Sequence, residues 1–227
     1  HVFHYEFADA AWLAGVQLVP VASSRGRLRA EDVRAAIRPR DRHHPRTTLI
    51  CVEQTHGASG GSVVPLETLA EVREVADEHG LPIHMDGARV WHAAVALDRP
   101  LSEVAAVADT VMASLSKGLG CPAGSMLAGP AELIDRAWTF RKRLGGGMRQ
   151  VGILAAAGLH ALDHHLPRLA EDHARARRLY EACREINGLS PVEPDTNTLR
   201  IDVSREGLPA AEILSLIHIS EPTRLRR

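Results

Sequence analysis

Apolar and polar positions alternate along this chain in blocks that change period, and the changes mark its elements. Val16 to Val21 reads as a strand, and a turn at Gly26 leads to a short helix over Ala30 to Ile37. Thr48 to Glu53 is a β-branched, almost continuous apolar run, the pattern of a strand buried on both faces of a parallel sheet. From Pro65 to His79 the period becomes helical. Leu66, Leu69, Val72 and Val75 share one side, Pro65 stands at the start and Gly80 at the stop. Leu81 to Asp86 is a strand ending on an acid, Val90 to Leu97 a helix, and Thr110 to Ser114 another strand. After Gly145 only helices are expected, over Gln150 to His165 and Pro167 to Asn187, before a last strand at Asn197 to Val203.

Strands alternating with helices predict an α/β fold, a mostly parallel sheet sandwiched by helices. Ligands of such sheets bind at the carboxyl ends of the strands. Three segments, Glu53 to His56, Asp86 to Arg89 and Ser114 to Lys117, fall at such ends, so their polar groups are predicted to converge on one crevice. The domain reading places a large domain over 1–165, the start of a smaller α+β domain over 166–213, and a non-native tail over 214–227.

Composition narrows the function. A net charge of −1 gives no field to draw nucleic acid or an anionic membrane, and no apolar run approaches the roughly 20 residues of a membrane span. The expectation is a cytoplasmic protein acting on a small molecule, with no nucleic acid and no membrane among its partners. Cys51, Cys121 and Cys183 are isolated and odd in number, which predicts buried free thiols rather than disulfides. The histidine pairs His43-His44 and His164-His165 lack a metal-binding frame, so no metal is expected. His1 to Tyr5 opens the chain as an aromatic, strand-like stretch without a polar lead, as if cut from something longer. LSLIHISEPTR, from Leu214 to Arg224, resembles the translation of a sequencing adapter.

Of 27 basic residues only Lys117 and Lys142 are lysines. Arginine replaces lysine wherever a fixed charge suffices, so a surviving lysine marks a candidate site for chemistry that needs a deprotonated amine, such as imine formation. Lys117 lies in Ser-Leu-Ser-Lys-Gly-Leu-Gly, a flexible turn with hydroxyls at Ser114 and Ser116. His84-Met-Asp86-Gly-Ala88-Arg89 supplies a carboxylate able to hold a pyridine nitrogen protonated. It also supplies small residues, Gly87 and Ala88, that let a flat ring approach the backbone, and a guanidinium with carboxylate-matching geometry. Amine, acid, hydroxyls and arginine together are what a pyridoxal 5'-phosphate (PLP) enzyme requires.

The strings LICVEQTH, LPIHMDGAR, Ser114 to Gly129 and RKRLGGGMRQVGILAAAGLHAL resemble the threonine aldolase family of fold-type I PLP enzymes, from His1 to about Val203. The resemblance implies PLP as cofactor, Lys117 as its Schiff-base lysine, Asp86 facing the pyridinium and Arg89 on the substrate carboxylate. It places His1 on the cofactor ring, His43 near the β-hydroxyl with Tyr5 on the same side, and Lys142 and Arg149 near the phosphate or substrate, reaching in from a neighbouring subunit. Ala88 and Ser114 complete the cofactor set, and His1 or His43 is the candidate base. The family's Glu-Asn-Thr-His-Asn stands here as Glu53-Gln-Thr-His-Gly57. Gly57 to Ser62 reads as a connecting turn. The implied reaction is retro-aldol cleavage of a β-hydroxy-α-amino acid to glycine and an aldehyde by a homodimer or homotetramer. The alternative reaction is β-elimination from an aromatic amino acid. The resemblance places the phosphate cradle before His1 and a second carboxylate arginine beyond Val203, so residues 1–227 alone are expected to be an inactive fragment that binds PLP weakly.

Overall fold

Residues 2–203, 210–212 and 215 are described by the structure, a computed structural model. Its centre is β2 (Ile83–Gly87), where Ile83, Met85 and Gly87 are buried and His84 and Asp86 half-buried, the period of two that a strand imposes. β1 (Ile50–Glu53) pairs parallel to it on one side, in register Ile50 with Ile83 and Glu53 with Asp86. β3 (Thr110–Ser114) pairs parallel on the other, Asp86 facing Met112. β4 (Ser125–Ala128) returns antiparallel beside β3, giving the order β1-β2-β3-β4.

The helices follow from the sequence period. α3 (Leu66–Glu78) buries Leu69, Val72, Val75 and Ala76, one stripe of a 3.6-residue repeat, and the chain leaves it through Gly80 at φ 62°. That stripe joins Val33 of α2 (Ala30–Ala36), Val90 and Ala93 of α4 (Val90–Leu97) and Val104 of α5 (Leu101–Ala105). All pack in one cluster with Ile50, Val52, Ile83 and Met85. Each large apolar side chain fully buried there contributes about 1.5–3 kcal/mol. Where β2 begins, the Asp109 carboxylate accepts hydrogen bonds from the Ile83 amide (2.7 Å) and Arg73 (2.9 Å), locking the entry to β3 beside β2.

A second, smaller cluster, Leu119, Cys121, Ala161 and Leu169, forms where α7 (Gly152–His164) and α8 (Leu169–Arg184) approach α4. α1 (Asp9–Ala14) and α6 (Ala131–Arg143) bury none of their residues. β5 (Ser190–Val192) and β6 (Arg200–Asp202) form a separate antiparallel pair. The loop between them reaches the main body: the Asp195 carboxylate meets Arg25 at 2.7 Å and the Val63 amide at 2.9 Å, and the Thr196 hydroxyl donates to the Gly61 carbonyl at 2.9 Å.

Several expectations change. Val16 to Val21 forms no strand, because Pro20 has no N–H for a ladder and nothing pairs with the stretch. Residues 2–5 form turns rather than a strand, with Phe3 edge-on to His4. β1 is buried on one face only: it is an edge strand, and Cys51 points to the uncovered side, so only Cys121 and Cys183 are buried thiols. The strand expected at Asn197 to Val203 forms as β6, and its antiparallel partner β5 falls where no strand is expected. Antiparallel β4 and helix α6 form between β3 and Gly145, where the apolar pattern predicts no element. Apart from Ser215, residues 214–227 lie outside the described residues. Among the described residues, no helix is long and apolar enough to cross a membrane.

Candidate active site

Because β1, β2 and β3 run parallel and in register, their carboxyl ends open on the same rim, and each carries one of the polar segments. A cleft of about 290 Å³ lies there, lined by Tyr5, Gly57, Ala58, Arg89 and Lys117. Residues far apart in sequence thus meet through the sheet. A slightly larger depression, about 320 Å³, lies between residues 27–31 and Thr68 and Glu71 of α3. It gathers no comparable set, for Arg29 is already paired to Asp32 (2.7 Å) and Glu31 (2.9 Å).

Asp86 sits at the end of β2 with its Oδ1 accepting the Ala88 amide at 3.0 Å. Ala88 therefore acts here through its backbone, fixing the rotamer of the acid. Arg89 follows as the N-cap residue of α4 and extends into the cleft beside Gly57. A Cβ on Gly57 would come within 3.0 Å of the Arg89 guanidinium and 3.1 Å of Glu53 Oε1. The glycine at 57, where the family pattern has asparagine, leaves room for both. Glu53 accepts the Gly57 amide at 2.8 Å, and the His56 imidazole lies 3.9 Å from its second oxygen while bonding Ser59 at 2.6 Å. Gln54, the other departure, is wholly buried. Its amide group donates to the Val64 carbonyl (2.8 Å) and accepts from the Val64 amide (3.0 Å), tying the loop after β1 to the start of α3.

Lys117 is exposed in the turn after β3, so its amine is accessible from the cleft. The turn is held at its base. Ser114 is buried, its hydroxyl accepts the Ser116 amide at 3.3 Å, and its carbonyl accepts the Trp91 indole N–H at 2.8 Å. Tyr5 reaches the cleft from the N-terminal turns. His1 lies outside the described residues. His43 is exposed on the 38–49 connection, where its amide bonds Asp41 at 2.8 Å, and it does not line the cleft. Lys142, in the last turn of α6, and Arg149 are exposed and also lie outside the lining.

The lining residues Gly57 and Ala58 belong to the segment read as a connecting turn. Their place could have been read from their position just past the end of β1, since that is where such sheets bind ligands.

The beta-eliminating lyase family model matches residues 1–206. The chain belongs to this family. Low specificity L-threonine aldolase of Escherichia coli K12 is 42% identical over 211 residues, covering 92% of this chain and 62% of the enzyme. Low-specificity L-threonine aldolase 1 of Arabidopsis thaliana is 39% identical over 219 residues, 94% of this chain and 61% of that protein. The chain thus spans about three fifths of the length of these relatives. The solved threonine aldolase of Leishmania major superposes with a TM-score of 0.76 at 21% identity, over 96% of this chain and 63% of that one. The family resemblance in the motifs is borne out, and the fold is that of fold-type I PLP enzymes.

Proposed function

We propose that this chain carries most of the catalytic centre of a PLP-dependent threonine aldolase, which cleaves a β-hydroxy-α-amino acid into glycine and an aldehyde. The observation that carries the reading is the meeting of Lys117 and Arg89 in one cleft at the rim to which Asp86, the next-to-last residue of β2, is carried. The residues fit the cofactor: an accessible amine, a carboxylate with a fixed rotamer, and a glycine at 57 that keeps the cleft open. When bound, PLP supplies an electron sink for the carbon–carbon bond that breaks.

The chain's own residues do the rest. Lys117 would hold the cofactor through its amine, the Asp86 charge would keep the pyridine nitrogen protonated, and the Ser114 and Ser116 hydroxyls would be donors available to the phosphate. Arg89 grips the substrate carboxylate through a paired hydrogen bond and so orients the bond to be cleaved. The hydroxyl proton goes to a histidine, His1 in this reading because His43 lies outside the cleft lining, and Tyr5 lines the cleft. The exposed, apolar α6–α7 surface supports a homodimer or homotetramer, in which Lys142 and Arg149 of one subunit approach a neighbour's site. The names of the closely similar relatives favour the aldol reaction over β-elimination.

The test is to incubate a full-length version of the protein with PLP, reduce with borohydride and map the label, while assaying threonine, allo-threonine, phenylserine and tyrosine. The expected result is a label on Lys117 and aldehyde from the hydroxy amino acids. Ammonia from tyrosine without aldehyde from threonine would move the function to β-elimination, and a label confined to Lys142 would overturn the site.

A further inference from the structure

One histidine pair, buried His92 and half-buried His173, is not used by that chemistry. His92, in the first turn of α4, is 1% exposed. Its Nδ1 lies 2.9 Å from Nε2 of His173 on α8, and its Nε2 is buried without a hydrogen-bond partner. That free edge points at Gly118, the residue after Lys117: a Cβ there would collide with His92 Nε2 and stand 3.0 Å from the two ring carbons beside it. The imidazole is thus packed flush against the backbone of the lysine turn.

A buried N–H without an acceptor is the costlier defect, whereas a bare ring nitrogen facing a Cα–H is tolerated. The favoured tautomer therefore has His92 donating from Nδ1 to His173, with its Nε2 lone pair toward Gly118. His173 thereby sets both the tautomer and the tilt of the His92 ring. Trp91, the preceding residue, holds the other end of the same turn through the Ser114 carbonyl. Two consecutive residues of α4 so clamp both ends of Ser114 to Gly118, and Arg89 is the N-cap of the same helix. The amine and the guanidinium are referred to one helix.

We infer that the His92–His173 pair is a positioning device for Lys117, holding the lysine turn at the height from which its amine meets the cleft. The inference rests on Lys117 being the residue of cofactor attachment. Neither histidine touches the cleft, and both act through Gly118.

The test compares His173→Gln, whose amide oxygen still accepts from His92, with His173→Phe, which fills similar space but accepts nothing. Hydrogen exchange on the full chain without cofactor reads the turn directly, through the Gly120 amide bonded to the Lys117 carbonyl and the Cys121 amide bonded to that of Leu115. In His173→Phe both amides should exchange about tenfold faster while those of β2 and β3 stay as in wild type, and His173→Gln should remain within about twofold. With PLP and borohydride, labelling of Lys117 should slow about tenfold in the Phe variant and be rescued in the Gln variant. Wild-type exchange in both variants would overturn the inference, as would equal loosening of the turn and the strands in both. If exchange follows the expected pattern but wild-type Lys117 takes no label, the positioning stands and the attachment reading fails.

Discussion

The half of the molecule built on β1–β3 with α3 and α4 and the half built on β4, α6 and α7 are both rich in apolar residues, yet they bury them to opposite extents. In the first, Val75, Ile83, Met85 and Val90 have no exposed surface. In the second, all four residues of β4 are exposed, α6 buries none, and Trp138, Phe140 and Ile153 are 59%, 55% and 82% exposed. An amphipathic pattern states that a face needs a partner, but not which chain supplies it. The rim half finds its partners within this chain and is where the cleft forms. The other half presents an apolar surface of the kind that marks association.

The two lysines offer the sharpest contrast, one in each half. Lys117→Ala should abolish PLP labelling and lower aldehyde release by three or more orders of magnitude, roughly 4 kcal/mol or more in barrier. Lys142→Ala should cost far less, about tenfold, since it only approaches a neighbour's site and forms no bond to the cofactor. Mass mapping and a coupled aldehyde assay check both, and equal losses would erase the functional difference between the halves.

Stability should divide the same way. Met85→Ala empties a wholly buried position and should lower unfolding free energy by about 2–5 kcal/mol, against under about 0.5 kcal/mol for Ile153→Ala in the isolated chain. Urea titrations decide it. A comparable loss at Ile153 would show that the exposed face of α7 has a partner within the chain.

Acid should reach the rim half through His92. Burial first, then the neighbouring His173, push the His92 imidazole down to about 4 from its ordinary 6.5, and burial lowers His173 as well. Asp172 opposes both shifts, and Arg89 adds to that on His92. A histidine neutral in the fold and protonated when unfolded stabilises fully above pH 6.5, and that contribution fades as pH falls toward 4. It amounts to about 3 kcal/mol. Unfolding free energy followed from pH 8 to 4 should drop across that window in wild type and run flatter in His92→Asn.

The smallest effect on the chain's own stability belongs to Trp138→Ser, under about 0.5 kcal/mol, because Trp138 is largely exposed. Its consequence should instead appear in assembly, as a lower oligomeric mass by light scattering. Unchanged mass would assign the α6 surface to something other than a second copy.

Much of the rim half was legible in the linear sequence, because its information is local. Val90 to Leu97 and Thr110 to Ser114 appear as elements with those bounds, and α3 within a residue of each end. Periodicity reports which face of an element is buried, strand ends mark where ligands bind, and the scarcity of lysine singled out Lys117. Val16 to Val21 misled because alternation was weighed above the missing N–H of Pro20, and β4 escaped notice because a short strand with four exposed residues has no buried face to betray it.

The sequence by itself determined the run of strands and helices from β1 to β3, the family, and the chemical types at the three strand ends, since each depends on residues close together in the chain. Only the tertiary structure decided which of them share a cleft: it brings Tyr5, Gly57, Arg89 and Lys117 together and leaves His43, Lys142 and Arg149 outside. It alone set His92 of α4 and His173 of α8 beneath the lysine turn. Contacts between residues 26 or 81 positions apart arise from strand register and helix packing, and neither leaves a periodic trace in the chain.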